Sequence, residues 1–136
     1  MQVLVNPYYT NYCNSRSTMK TSLKIEELSM FILGCYLFST LDYSWWWLVG
    51  MFLLPDIGML GYMINSKVGS ITYNIFHHKA IAVILYLLGV CIGSPILSFA
   101  GILIFSHASF DRMLGYGLKY NTDFKDTHLG KLGTHE

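Results

Sequence analysis

The chain has 136 residues, enough for one domain, of which 53% are hydrophobic and 12% charged, with a mean hydropathy of +0.42. A soluble domain carries about 25% charged residues, so the balance points to an integral membrane protein. The net charge of +1 leaves no nucleic-acid footprint, and three distant cysteines, Cys13, Cys35 and Cys91, exclude a CxxC pair or a zinc knuckle.

Residues 1–22 show no clean period and are expected to form a mobile or interfacial tail, with Tyr8, Tyr9 and Tyr12 near lipid headgroups. Their polarity does not suit a cleavable signal peptide. A first apolar span is expected from Ile25 to Leu41, closed by the turn Asp42-Tyr43-Ser44. A second runs from Trp45 to Ile64. Its three tryptophans mark entry at an interface, and Pro55-Asp56, Gly58 and Gly61 interrupt it. Asn65-Ser66-Lys67 turns the chain into a third span, Val68 to Ile92, and Gly93-Ser94-Pro95 turns it into a fourth, Pro95 to Lys119. Residues 121–136 form a polar tail, expected to fold back over the mouth of the bundle. The expected architecture is all-α, an integral membrane four-helix bundle over residues 23–120. Basic residues fall on the side of the termini and the loops at 42–44 and 93–94 have none. The positive-inside rule then places both termini in the cytoplasm, with the chain multi-pass in the inner membrane.

Polar groups stranded in apolar runs are costly in lipid unless they are paired or bound to an ion. At about 1.5 Å rise per residue, Asp56 lies roughly 16 Å and His107 roughly 18 Å from the outer face. His77 lies roughly 13 Å from the inner face on the same rise, so all three share one plane of a core about 30 Å thick. Asp111 is one helical turn from His107 on the same face. Two histidines with two carboxylates suit Zn²⁺, Fe²⁺ or Mn²⁺. Asp56, His77, His107 and Asp111 are therefore the expected metal ligands. The bland alternatives are a buried His–Asp hydrogen bond and an Asp that caps a broken helix. His78 points about 100° away from His77 and is not expected to join. Glu26 is a candidate ligand or general base, reaching the cluster from the cytoplasmic end, against the alternative of a solvated first-turn carboxylate. Arg112, with Lys79, is a candidate for holding substrate charge, against the alternative of snorkelling to headgroups.

KIEEL, LPDIGMLGY, VGSITYNIFHH, SFDRMLGYGLKY and FKDTHLG, over residues 24–132, resemble a family of small bacterial membrane proteins known as domain of unknown function 4260. That resemblance implies a four-span membrane protein and brings no activity. Its pattern falls on Glu26, Asp56, Tyr62, Tyr73, Asn74, His77, His107, Asp111 and Arg112. LLPDI followed by a His-bearing helix and then SHASFD is also similar, more weakly, to inner-membrane metal-dependent hydrolases. NIFHHKA departs from that second pattern by lacking its second histidine, unless His78 stands in. The combined expectation is a membrane-embedded hydrolase of a lipid or phosphoester, with a divalent metal, zinc foremost, as cofactor and membrane lipid as partner. A non-enzymatic membrane protein whose cluster carries ions or binds a small ligand is the alternative. A haem protein using His77 and His107 as axial ligands ranks third. Metal identity, substrate and homo-oligomerisation stay open at this stage.

Overall fold

The computed structural model describes residues 7–133 and is mostly helical. Its elements are α1 (Pro7–Ser39), α2 (Trp45–Met51), a 3₁₀ helix (Leu54–Met63), α3 (Ser66–Phe76), α4 (Lys79–Cys91) and α5 (Pro95–Leu114). A small antiparallel hairpin follows, β1 (Asp126–Thr127) with β2 (Gly130–Lys131).

The expected irregular segment at 1–22 is corrected over its described part. α1 is a continuous helix from Pro7, and residues 1–6 lie outside the described residues. The stretch 14–25 is exposed throughout. It has no apolar period, yet no Pro or Gly interrupts the chain between Pro7 and Gly34. A helix already anchored downstream propagates into such a segment without a new nucleus. Thr18 and Thr21 bond back to the carbonyls of Asn14 and Ser17 at 3.0 and 3.1 Å.

Two of the expected spans are broken, the second at the interruption expected at Pro55-Asp56 and the third where none was expected. Pro55 has no amide hydrogen, and the chain answers with i→i−3 bonds. Phe52 N donates to Val49 O and Asp56 N to Leu53 O. The resulting 3₁₀ helix is 10 residues long, far beyond the usual run of three or four. The second break lies at His77–His78, where α3 and α4 meet with a bend of 43°. His78 leaves helical geometry and caps α4, its Nδ1 accepting from Ala80 N at 3.3 Å. α5 begins under a Ser94 cap and ends at Leu114, not Lys119, because Gly115 takes φ +100°.

Among the described residues one helical run, Trp45–Met63, is long and apolar enough to cross a membrane, and the bent α3–α4 pair is a second if it counts as one span. The sequence reading expected four. The all-α class holds, with the terminal hairpin added to it. Residues 121–133 do fold back. Ser70 Oγ donates to Asn121 Oδ1, and Asn74 pairs through its amide with both backbone groups of Lys119 at 2.8 and 2.9 Å. Residues 134–136 lie outside the described residues.

Close backbone packing occurs within two groups, α1–α5–α4 and the 3₁₀ helix with α3. In the first, α5 is the central rod, burying Gly101, Ile102, Leu103, Ser106, His107 and Ala108. Phe38 and Leu48 complete its core. Gly101 lets α4 approach: a Cβ there would sit 2.8 Å from Tyr86 Cα and 2.6 Å from Ala82 O. In the second group Gly58 plays the same part, with a Cβ falling 2.9 Å from Thr72 O and 3.0 Å from Tyr73 Cα. The groups meet through side chains, among them Phe52, which lies edge-on to Phe31 and Phe110 at 6.1 and 5.5 Å.

These contacts set a paired test. Gly101→Ala drives a methyl into backbone atoms that cannot yield, and should cost about 2–3 kcal/mol. Gly50→Ala meets nothing within 4 Å and should be neutral or stabilising by about 0.5–1 kcal/mol. Thermal unfolding of both variants in one detergent decides the matter, and equal effects would contradict this packing.

Candidate metal centre

The four expected ligands arrive on three local devices. Asp56 stands one residue after the proline that starts the 3₁₀ helix. The glycine-mediated approach of that helix to α3 carries Asp56 alongside the end of α3. Thr72 Oγ1, donating to Gly58 O at 2.6 Å, pins the approach. His77 is the C-cap of α3. His107 and Asp111 are one turn apart on α5, as their spacing requires.

The structure brings all four together. One ligand atom from each of Asp56, His77, His107 and Asp111 lies within 4.8 Å of every other. His77 Nε2 is 3.3 Å from Asp56 Oδ1 and 3.3 Å from Asp111 Oδ2. His107 Nε2 is 3.4 Å from Asp56 Oδ1 and 3.7 Å from Asp111 Oδ2. The two Nε2 atoms are 3.0 Å apart. A tetrahedral ion with ligands at about 2.0–2.1 Å holds its ligand atoms roughly 3.3 Å apart, and these five edges bracket that value.

Proton positions sharpen the picture. His77 Nδ1 lies 2.9 Å from Tyr73 O, a carbonyl that can only accept, so Nδ1 carries the hydrogen. Nε2 of the neutral ring then presents a lone pair to the cluster, the tautomer a metal ligand needs. Tyr73 stacks on the same ring at 3.7 Å, and its hydroxyl donates to Asp111 Oδ2 at 3.0 Å. His107 packs against Phe52 at 5.3 Å and is nearly fully buried, but its Nδ1 has no protein partner. The donor set therefore fits a zinc-like ion in residue type, spacing and the His77 tautomer, while His107 lacks the usual outer bond. The histidines are 2–3% exposed, whereas Asp56 is 32% and Asp111 15% exposed. The cluster is closed on its imidazole side and accessible on its carboxylate side.

The other candidates stand apart. Glu26 is exposed on α1 and does not converge with the four. Its neighbour Glu27 turns inward instead and takes Lys79 Nζ as an ion pair. Lys79 is thereby committed to α1. Arg112 reaches the cluster's backbone, Nη2 donating to His77 O at 3.5 Å, a carbonyl freed by the break after α3. His78 is exposed and employed as a cap. Reasoning from sequence missed Lys119. It is 4% exposed, its Nζ donates to Phe124 O at 3.0 Å, and it lies over the rings of Phe124 and Tyr73 at 3.8 and 4.8 Å. Burial pushes its ammonium below the usual lysine range, and Asp111 and Asp56 pull it back up. The signal that could have found it is its place in GLKY, directly after the SFDRML helix and before a polar stretch.

A family model described as a domain of unknown function, DUF4260, matches residues 20–132. The chain belongs to this family. The match takes in all four converging DUF4260 residues together with Tyr73, Asn74 and Lys119. No curated protein and no solved structure matches the chain.

Removing either histidine of the His77-His78 pair should separate their roles. His78→Ala loses one cap and should cost within about 1 kcal/mol. His77→Ala removes the ring that Tyr73, His107 and both carboxylates surround, and should cost about 2–4 kcal/mol. Tyr73→Phe keeps the stack and should lose about 1 kcal/mol with the bond to Asp111. Melting curves of the three variants check this ranking, and a larger loss for His78→Ala than for His77→Ala would reverse the assignment.

Proposed function

We propose that this DUF4260 chain is a multi-pass membrane protein with both termini cytoplasmic. In this reading it holds a zinc-like divalent ion between Asp56, His77, His107 and Asp111, and serves as a hydrolase of a lipid or phosphoester. The observation that carries the metal site is the spacing of the four ligand atoms, five of whose edges lie between 3.0 and 3.7 Å. Membrane embedding is supported by the apolar side chains on the outside. Trp46 is 80% exposed, Met63 85% and Ile96 74%, a surface that water does not tolerate over such an extent.

Bound there, a divalent ion would lower the pKa of a water and polarise a scissile ester. The chain's own residues supply the rest. Tyr73 fixes Asp111, Tyr73 O fixes the His77 tautomer, and Arg112 offers positive charge beside the cluster. Hydrolysis needs one coordination position for water. Asp56, the most exposed of the four and carried on the 3₁₀ helix, would be the residue to leave room for it. Glu26 has no part in this reading. The alternative of a non-enzymatic ion-binding protein is favoured by one observation, the count of four protein ligands, which is that of a closed structural site. The haem alternative is set aside. His77 and His107 would have to hold a haem between them. Here the two Nε2 atoms are 3.0 Å apart with the rings at 71°.

Elemental analysis of protein purified without a histidine tag should find about one divalent ion per chain. An ion at a hundredfold excess over its Kd stabilises by about 2.7 kcal/mol, and His107→Ala and Asp111→Asn should lose both the ion and that increment. Chelation should abolish any phosphodiester or ester hydrolysis. Wild-type protein that carries no ion, and whose Tm zinc does not move, would sink the metal reading. Retained metal with no hydrolysis of any lipid or phosphoester would decide for the non-enzymatic alternative.

Orientation has its own check. A reporter fused after Glu136 should be active only in its cytoplasmic form, and periplasmic activity would invert the topology.

A further inference from the structure

Away from the four-residue cluster, the exposed part of α1 and the terminal hairpin enclose a second concavity of about 360 Å³. Arg16 and Lys20 line it from the helix, and Thr127, His128 and Lys131 from the hairpin. Every charged residue in its wall is basic. Lys131 also stands 3.8 Å from Asp126 in an exposed pair, which is weak at a solvated surface. We propose that this groove binds the phosphate group of an anionic ligand, in the first place a phospholipid headgroup.

Three observations carry the proposal. The first is the spacing of Arg16 and Lys20, four residues apart on a regular helix, so both cations project from one face. Arg16 is further steadied by the Tyr12 ring, 5.7 Å from its guanidinium carbon. A guanidinium beside an ammonium is a fitting pair for phosphate oxygens. The second is the state of His128. Its Nδ1 accepts from Leu118 N at 2.8 Å, which leaves Nε2–H as the ring's donor, so a neutral His128 still offers a hydrogen to an anion. The third is depth. Counting down α1 from Ile25, where its apolar part begins, Lys20 lies about 7 Å and Arg16 about 13 Å below. The polar zone of each leaflet is roughly 5–8 Å thick, so the upper cation lies within the headgroups and the lower just beneath them. The hairpin shares the groove with Arg16 and Lys20, so in that reading the groove lies at the level of the lipid phosphates. Lys24 continues the helical face but does not line the groove, which supplies an internal control.

The full chain in neutral detergent micelles is titrated with phosphatidylglycerol, with phosphatidylcholine, and separately with inorganic phosphate against chloride, and bound adducts are counted by native mass spectrometry. Phosphatidylglycerol should bind at least tenfold tighter than phosphatidylcholine. The Arg16→Ala/Lys20→Ala double variant, which alters only exposed side chains, should lose that preference with its Tm unchanged. Lys131→Ala should lower it severalfold, and Lys24→Ala should leave it intact. Inorganic phosphate binding in place of the lipid, and lost in the same double variant, would keep the site and assign it to a soluble anion. Equal weakening by Lys24→Ala would reduce the groove to diffuse surface charge and overturn the proposal, as would the absence of any preference for either anion.

Discussion

Everything near the centre of this molecule answers to one electrostatic demand. Two imidazole nitrogens and two carboxylate oxygens share a volume barely wider than an ion, and Tyr73 supplies one of the carboxylates with a hydroxyl donor. The hydrogen of His77 is already spent on Tyr73 O. A single hydrogen on His107 Nε2 can serve the 3.0 Å contact between the rings, but it cannot also serve two carboxylates. Lone pairs that face one another in a partly dry site repel unless a cation or extra protons come between them. The stack of Tyr73, the cap at His78 and the glycine contacts at Gly58 each hold one of these groups where it would not settle by itself.

The convergence of Asp56, His77 and His107 was legible in the sequence, since rise per residue alone brings them to one level. The neglect of His78 followed equally well from its angle to His77. How the chain delivers these residues was not legible. A span interrupted at Pro55-Asp56 was expected at 45–64 and an unbroken one at 68–92, and both are broken beside a ligand. Pro55 announced the first break, but nothing local announces a 3₁₀ run of such length, because the packing of Gly58 against α3 sustains it. Glu26 was the carboxylate expected to turn toward the cluster, and the position of Lys79 instead draws its neighbour Glu27 inward. Lys119 was hidden because the aromatic side chains that cage it come from α3 and from the loop before the hairpin. The helix through residues 7–22 escaped because its stability is borrowed from the apolar turns that follow.

The polarity of the cluster is lopsided. Histidines close one side against Phe52, while the carboxylates stand toward the accessible side. Lys119, Asn74 and the terminal hairpin occupy the neighbouring ground, so the last segment of the chain is fastened to the α3 helix that carries His77. A chain ending before Lys119 would keep all four converging residues and lose the buttress beside Tyr73.

The division of the helices into two closely packed groups has a consequence for assembly. Asp56 and His77 belong to the 3₁₀–α3 hairpin, and His107 and Asp111 to the rod that α1 and α4 flank. Each group thus owns half a coordination set, a claw of two ligands held by that group's own local geometry. Whatever neutralises the space between the claws acts as a rivet across the joint. The same charge that would perform chemistry also sets how firmly the two halves of the protein are clasped.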